Sequence, residues 1–225
     1  MKKITVLLAD DHMIVREGFR LLLEHETDVE VVGEAANGRE AVALGRKLRP
    51  DVIVMDVAMP LLNGIEATRQ IRKYCPDTRV LILSAHGDDA YVEKMMELGA
   101  AGFLLKQTSS HELATAIREV RAGRIFLSPD LARRQRDRER KSINHDGQLK
   151  PVNNRLTSRE REVLQLVAEG KPNKQVAGEL GIAFKTADKH RQHLMAKLNI
   201  HDVAGLTRYA IAEGIIENDV RVDLH

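Results

Sequence analysis

Five polar residues stand immediately after or at the end of short apolar runs, and their types suit one chemistry. Asp10 and Asp11 follow Ile4 to Ala9, Asp56 ends Val52-Ile53-Val54-Met55, Ser84 ends Val80 to Leu83, and Lys106 follows Gly102 to Leu105. Three carboxylates brought together raise one another's pKa and repel unless a cation is shared between them. Mg²⁺ is the fitting cation, because it takes oxygen ligands, keeps waters and is held by one or two carboxylates together with phosphate oxygens. Asp56 can then attack phosphorus and form an acyl phosphate, with Ser84 and Lys106 stabilising the added oxygens. Each residue also has an ordinary use: Asp10 and Asp11 as a helix cap, Asp56 and Ser84 in turns, Lys106 as a solvated charge. Their joint placement at successive strand ends favours the functional reading.

The elements that must position them alternate. Apolar runs at Ile4–Ala9, Val29–Ala35, Val52–Asp56, Val80–Ser84 and Gly102–Leu105 read as strands. Between and after them lie amphipathic helices, the first with Val15, Phe19, Leu22 and Leu23 on one face, then 39–48, about 65–74, about 89–98 and 110–121. Five β-α repeats imply a parallel sheet covered by helices on both faces, with the ligand site outside the carboxyl ends of the strands.

Composition divides the chain at about Gly123. To that point there are 16 Lys and Arg against 19 Asp and Glu, and beyond it 19 against 14. An acidic front and a basic back suggest two modules with different partners. A single cysteine, Cys75, excludes an internal disulfide and a Cys-based zinc site. The first apolar run is too short for a signal peptide and stops at Asp10, and no segment approaches the roughly 20 apolar residues of a membrane span, so the expected location is cytoplasmic, with no membrane partner. Residues 124–153, with Arg133, Arg134, Arg136, Arg138, Arg140 and Lys141 followed by a polar stretch, read as a linker.

Residues 1–123 resemble a two-component response-regulator receiver domain: Asp10-Asp11, Met55-Asp56, Met59-Pro60, Asn63-Gly64, Ser84-Ala85 and Lys106 fall where that family's motifs fall. The resemblance implies a doubly wound, five-stranded, flavodoxin-like parallel sheet in the order 2-1-3-4-5. It also implies that Asp56 accepts phosphate from a sensor histidine kinase. Asp11, Asp56 and the Ala58 carbonyl would hold Mg²⁺ with Asp10 assisting, while Ser84 and Lys106 read the phosphoryl group. Phe103 matches the family's switch aromatic and is equally the residue type of an ordinary core position. Two departures are mild: Gln107 follows Lys106 where a proline is common, and Leu61-Leu62 makes the loop after Pro60 unusually apolar.

From Leu156 the chain reads as four helices. Thr157-Ser158-Arg159-Glu160 is a capping box, Asn173 can cap a second helix, Gly181 sits where a tight turn needs positive φ, and a third helix runs from about Lys185 to Leu198. On that third helix Ala187, Leu194 and Leu198 share one face, while Lys185, Asp188, Lys189 and Gln192 point the other way. Lys189 can donate to guanine or phosphate, Gln192 can pair with adenine, and Asp188 can accept from cytosine. His190, His193 and His201 suggest packing and phosphate-proximal residues rather than a metal site.

Residues 154–225 resemble the LuxR-type (NarL/FixJ) helix-turn-helix, carried by Leu156 through Leu164, Asn173 through Ile182, Lys185-Thr186 and His190. This adds Thr186 to the DNA-binding set and implies that a fourth helix, about Val203 to Ala212, pairs two modules as a homodimer on double-stranded DNA. Asp188 departs from the family's usual basic residue, and Ala183 stands where a capping Ser is usual. The whole is expected to be a phosphorylation-controlled transcription regulator and not an enzyme, its switch acting through the face around helices four and five. Two alternatives stand beside it. One is a phosphorylation-independent DNA-binding regulator. The other is an aspartate-nucleophile phosphatase, disfavoured because Ala58 occupies the position of that class's second Asp.

Overall fold

The computed structural model describes residues 2–85, 87, 89–107, 110–134 and 156–216. Most of the segment read as a linker, from Gln135 through Asn153, lies outside these residues, as do Asn154, Arg155 and the chain beyond Ile216.

The front module runs β1 (Ile4–Ala9), α1 (Met13–Glu24), β2 (Val29–Ala35), α2 (Gly38–Leu48), β3 (Val52–Asp56), α3 (Gly64–Tyr74), β4 (Arg79–Ser84), α4 (Asp89–Glu97), β5 (Gly102–Leu105), α5 (Ser110–Arg121). The strands are parallel and ordered β2-β1-β3-β4-β5, as expected, with one addition at the edge. A sixth short strand, β6 (Phe126–Leu127), pairs with β5, and a helix over residues 129–134, α6, follows it. Two features secure α6: Leu131 joins the receiver core, and Arg134 Nη2 donates to the Gly87 carbonyl at 2.8 Å. The first residues read as linker therefore complete the receiver sheet. The periodicity of two residues is too short to announce itself, and the strand forms because β5 offers an open edge.

Continuous apolar strands are explained by burial on both sides. Alternate residues of β1 and β3 divide between two cores, Leu7, Ile53 and Met55 facing α2, α3 and α4, and Val6, Leu8, Val52 and Val54 facing α1 and α5. Each such fully buried side chain contributes about 1.5–3 kcal/mol relative to exposure. On α1, Phe19 and Leu23 are buried as expected, but Leu22 is exposed, because the sheet covers a narrower stripe than the spacing suggested.

The back module comprises α7 (Ser158–Ala168), α8 (Asn173–Glu179), α9 (Phe184–Leu198) and α10 (Val203–Ala212). The Thr157–Glu160 capping box is formed in both directions. Gly181 adopts φ +60° between α8 and α9, the left-handed turn that a helix-turn-helix needs. Asn173 does not cap α8. Pro172 occupies the N-cap, and the Asn173 side chain is used elsewhere.

The modules meet at the loop that leaves β3. Leu61, at φ +67°, packs against the helical core, and its N–H donates to Glu169 Oε1 at 3.1 Å. Gln165 of α7 accepts from Asn63 N at 2.8 Å and donates to the Met59 carbonyl at 2.9 Å, while Asn63 Nδ2 donates to the Ile215 carbonyl at 2.9 Å. Around this patch Arg161 approaches Glu66, Gln70 Nε2 donates to Glu162, and Lys94 of α4 reaches Glu213. The unusual apolarity of Leu61-Leu62 thus has two causes: Leu61 belongs to the module interface and Leu62 to the receiver core.

Gly64 lets this loop close. Its N–H donates to the Val57 carbonyl at 2.8 Å, and a Cβ there would collide with the Asp56 carbonyl oxygen, a backbone atom that cannot swing aside. Gly18, within α1, has open space around the same position. Gly64→Ala should therefore destabilise the receiver by about 2 kcal/mol or more, while Gly18→Ala should stabilise it by about 0.5–1 kcal/mol. Urea unfolding of the two variants beside the native chain checks both signs.

Candidate functional site

Strand register assembles the polar residues. Ala9 lies opposite Met55, Asp56 opposite Leu83, and Ser84 opposite Leu105, so the carboxyl ends of β1, β3, β4 and β5 finish together. Asp10, Asp56 and Ser84 are buried there, with Asp11 and Lys106 at the rim. Lys106 is held by its own backbone N–H on the Ser84 carbonyl at 2.8 Å. Its ammonium bridges two carboxylates, 2.9 Å from Asp56 Oδ2 and 2.8 Å from Asp10 Oδ2. The second oxygen of Asp56 accepts from Val57 N at 2.7 Å.

Asp10 and Asp11 do not cap α1. His12 is the N-cap and its side chain makes no capping bond, whereas Asp10 Oδ1 accepts from His12 N at 2.8 Å. The imidazole Nδ1 lies 2.9 Å from Asp11 Oδ1 and 3.3 Å from Asp10 Oδ1. One ligating atom from each of Asp10, Asp11, His12 and Asp56 falls within 4.8 Å of the others. Asp10 Oδ2 and Asp11 Oδ1 are buried, and their near polar neighbours are the Lys106 ammonium at 2.8 Å and the His12 imidazole at 2.9 Å. An oxygen-rich set with buried lone pairs to spare fits a hard divalent cation. His12 belongs to no motif in the sequence, and its adjacency to Asp11 is the one signal that points to it.

Electrostatics single out Asp56. Burial, followed by the neighbouring charge of Asp10, pushes its pKa up to about 7, against the hydrogen bond and charge of Lys106 and the Val57 N–H. For Lys106 burial opposes the charge, but the bonds and charges of Asp10 and Asp56 prevail and its pKa is raised. The group is thus a carboxylate that resists ionising until more positive charge arrives. Phe103, three residues before Lys106, is fully buried in the core on the α2–α4 side of the sheet.

The second constellation lies on α9. Ala187 and Leu194 are buried and Leu198 partly so, while Lys185, Thr186, Lys189 and Gln192 are exposed. The receiver, docked on α7, leaves that face open. Asp188 differs from expectation: Oδ1 accepts from Asn173 Nδ2 at 2.8 Å and Oδ2 from Gln192 Nε2 at 2.9 Å, so both oxygens are engaged within the protein. Arg191 Nη1 donates to Asn173 Oδ1 at 2.8 Å and completes the chain. Gln165, Glu169 and Glu66, which join the modules, had no signal in the sequence, because their partners lie about 100 residues away. Among the described residues no helix is long and apolar enough to cross a membrane.

Comparison with known proteins identifies both modules. Residues 6–118 match the response regulator receiver domain, and residues 154–210 match the bacterial regulatory proteins of the luxR family. Over 207 residues the chain is 40% identical to the transcriptional regulatory protein LiaR of Bacillus subtilis, covering 92% of this chain and 96% of that one. It is 36% identical over 231 residues to the transcriptional regulatory protein DegU of Brevibacillus brevis, covering 98% and 96%. Among solved structures, a LuxR-family two-component response regulator from Aurantimonas superposes with TM-score 0.59 at 41% identity, covering 61% of this chain and 99% of that one. RcsB of Salmonella enterica serovar Typhimurium, bound to the promoter rprA in the presence of a phosphomimetic, superposes with TM-score 0.56 at 26% identity, covering 92% and 98%. With a receiver site at one end and a helix-turn-helix at the other, the chain belongs to the LuxR-type two-component response regulators, a family of DNA-binding transcription regulators.

Proposed function

We propose that Asp56 is the phosphoacceptor and that the acyl phosphate formed there controls DNA binding through the loop from Val57 to Asn63. The observation that carries this reading is one of connection. The backbone that leaves Asp56 is the same backbone that α7 holds through Gln165 and Glu169.

The donor is a phosphohistidine on a sensor kinase. An Asp56 oxygen attacks phosphorus, the P–N bond breaks, and the imidazole leaves with the bonding pair and takes up a proton from solvent. Asp10, Asp11, Asp56 and the Ala58 carbonyl would hold Mg²⁺, which when bound supplies positive charge for the phosphoryl oxygens and lowers the cost of ionising Asp56. Lys106 keeps its ammonium within hydrogen-bond reach of the attacking carboxylate and then pairs with the transferred group. Ser84, at the neighbouring strand end, donates its hydroxyl to a phosphoryl oxygen, and Phe103 adjusts its packing as Ser84 moves.

Added charge at Asp56 and a ligand on the Ala58 carbonyl both load the loop that docks the helical module. The interface is rich in hydrogen bonds and charges and poor in apolar contact, as befits a junction that opens and closes. This route runs through the β3–α3 loop and α3, with α4 contributing Lys94, rather than mainly through the face of α4 and α5. Release frees α10 for pairing with a second copy on DNA, and α9 contacts the major groove through Lys185, Thr186, Lys189 and Gln192. The setting for this cycle is the cytoplasm.

With acetyl phosphate and Mg²⁺ the purified chain should gain one alkali-labile, hydroxylamine-labile phosphoryl group. Asp56→Asn or chelation should abolish it and Lys106→Ala should reduce its rate at least tenfold. Labelling of Asp56→Asn at the native rate would sink the assignment.

Protonation supplies a further check. Because the folded-state pKa of Asp56 lies near 7 and its unfolded value near 4, the folded chain binds the proton more tightly. That contribution to stability is fully present below about pH 4 and is lost as pH rises through about 7. Without divalent cation, the melting temperature of the native chain should therefore fall relative to Asp56→Asn across this window, and Mg²⁺ should shrink the gap. A gap independent of pH would contradict it.

For the docked state, Gln165→Ala and Leu61→Asp should each enlarge the radius of gyration of the unphosphorylated chain in X-ray scattering and raise its DNA affinity several-fold. An unchanged radius with unchanged affinity would mean that the loop does not restrain the module.

A further inference from the structure

As a residue type Asp188 can accept from cytosine N4, and in this fold its partners are other side chains of the protein. Both carboxylate oxygens are taken, Oδ1 by Asn173 of α8 and Oδ2 by Gln192 one helical turn ahead. Asn173 is itself held through its Oδ1 by Arg191. The order Arg191–Asn173–Asp188–Gln192 alternates donor and acceptor without conflict, and it braces α8 against α9 while fixing one exposed side chain.

That side chain is an amide, and an amide has two faces of opposite hydrogen-bonding sense. Rotating the Gln192 carboxamide by half a turn would set its oxygen against the Asp188 carboxylate, acceptor on acceptor. With Nε2 committed to Asp188 Oδ2, the orientation is settled. The Gln192 oxygen, which has no protein partner among the described residues, and the second N–H of Nε2 remain for a ligand. In the major groove that pair matches adenine, whose N6 donates and whose N7 accepts. Guanine offers two acceptors at that edge and thymine an acceptor and a methyl group.

We propose that Asp188 is a positioning residue for sequence recognition, holding the Gln192 carboxamide in the orientation that selects adenine. This also accounts for an acidic residue on a helix that approaches phosphates. Its charge is spent within the protein, and its partner Asn173 is tied to a guanidinium. The proposal rests on the reading that α9 enters the major groove.

The test is selection from a random duplex library by the full-length chain, followed by affinity measurements on duplexes differing at single base pairs. The native chain should prefer A·T at one position of each half-site by about tenfold or more, the discrimination expected of one amide–adenine pair. Gln192→Ala and Asp188→Ala should both lose that preference at the same position, and the double variant should lose no more than either alone. A merely structural role for Asp188 would lower affinity for all duplexes alike and leave the ratio untouched, so the ratio is the quantity read. Should the alanine variant fail to fold by its melting curve, Asp188→Ser, too short to hold the amide, makes the same comparison.

The proposal is overturned if Asp188→Ala keeps the native preference while Gln192→Ala loses it, an outcome in which the reading of α9 survives. It is equally overturned if Asp188→Ala alters a different base pair, since Asp188 would then read a base itself. If neither Gln192→Ala nor Lys189→Ala changes the selected sequence, the reading of α9 fails and takes the proposal with it.

Discussion

A lysine ammonium shared between two buried carboxylates is the interaction on which the receiver end depends. Asp10 and Asp56 sit side by side because β1 and β3 pair in parallel register, and buried together they would repel strongly. Lys106 arrives two strands away and lies within 3 Å of both. One cation does not satisfy two carboxylates and their desolvation, which is why the pKa of Asp56 remains near 7. The site is therefore held short of positive charge.

The same economy of placement joins the strand end at Asp56 to a helix about 100 residues away. The turn after Asp56 is short, closed by Gly64 and capped by Asn63, whose Oδ1 accepts from Glu66 N at 2.9 Å. Two of its residues are committed at once to receiver and helical module: Asn63 caps α3 and bonds the Ile215 carbonyl, and Leu61 lends its side chain to the helical core. Gln165 stands on the other side, 2% exposed, and its amide is satisfied by the receiver loop and by Glu169. Opening such a junction exposes polar groups to water, which can replace their partners, and rather little apolar surface. The cost is modest in comparison with unpacking a core.

At the other end, the helix-turn-helix combines bonds between its helices with an exposed face on α9. Arg159 of α7 donates to the Leu180 carbonyl at the turn and pairs with Glu162, while Lys197 near the end of α9 reaches back to Glu160. These bonds fix α9 from behind, and the Asn173–Asp188 pair fixes it from the side. The module has a hydrophobic core of its own, running from Leu156 to Ile215, against which Leu61 of the receiver packs.

Much of this was determined by the sequence alone. Apolar runs alternating with amphipathic stretches demand a doubly covered parallel sheet, because each strand must bury both faces. Strands that end in Asp, Ser and Lys put those residues at one edge whatever the details of packing. The capping box at Thr157 and the glycine at 181 likewise act over a few residues, and local signals of that kind are legible in a linear chain. What only the tertiary structure decided involves partners remote in sequence: β6 adding to the edge of β5, Leu61 leaving its own domain's core, Gln165 finding the loop after Asp56, and Asn173 turning from a cap into a bridge to Asp188. A side chain's hydrogen-bonding capacity is written in its type, but the choice among possible partners depends on which of them folding brings within 3 Å. For Asp56 the sequence supplied the carboxylate and its strand end; folding supplied the neighbours that raise its pKa and the helical module held on the loop that follows it.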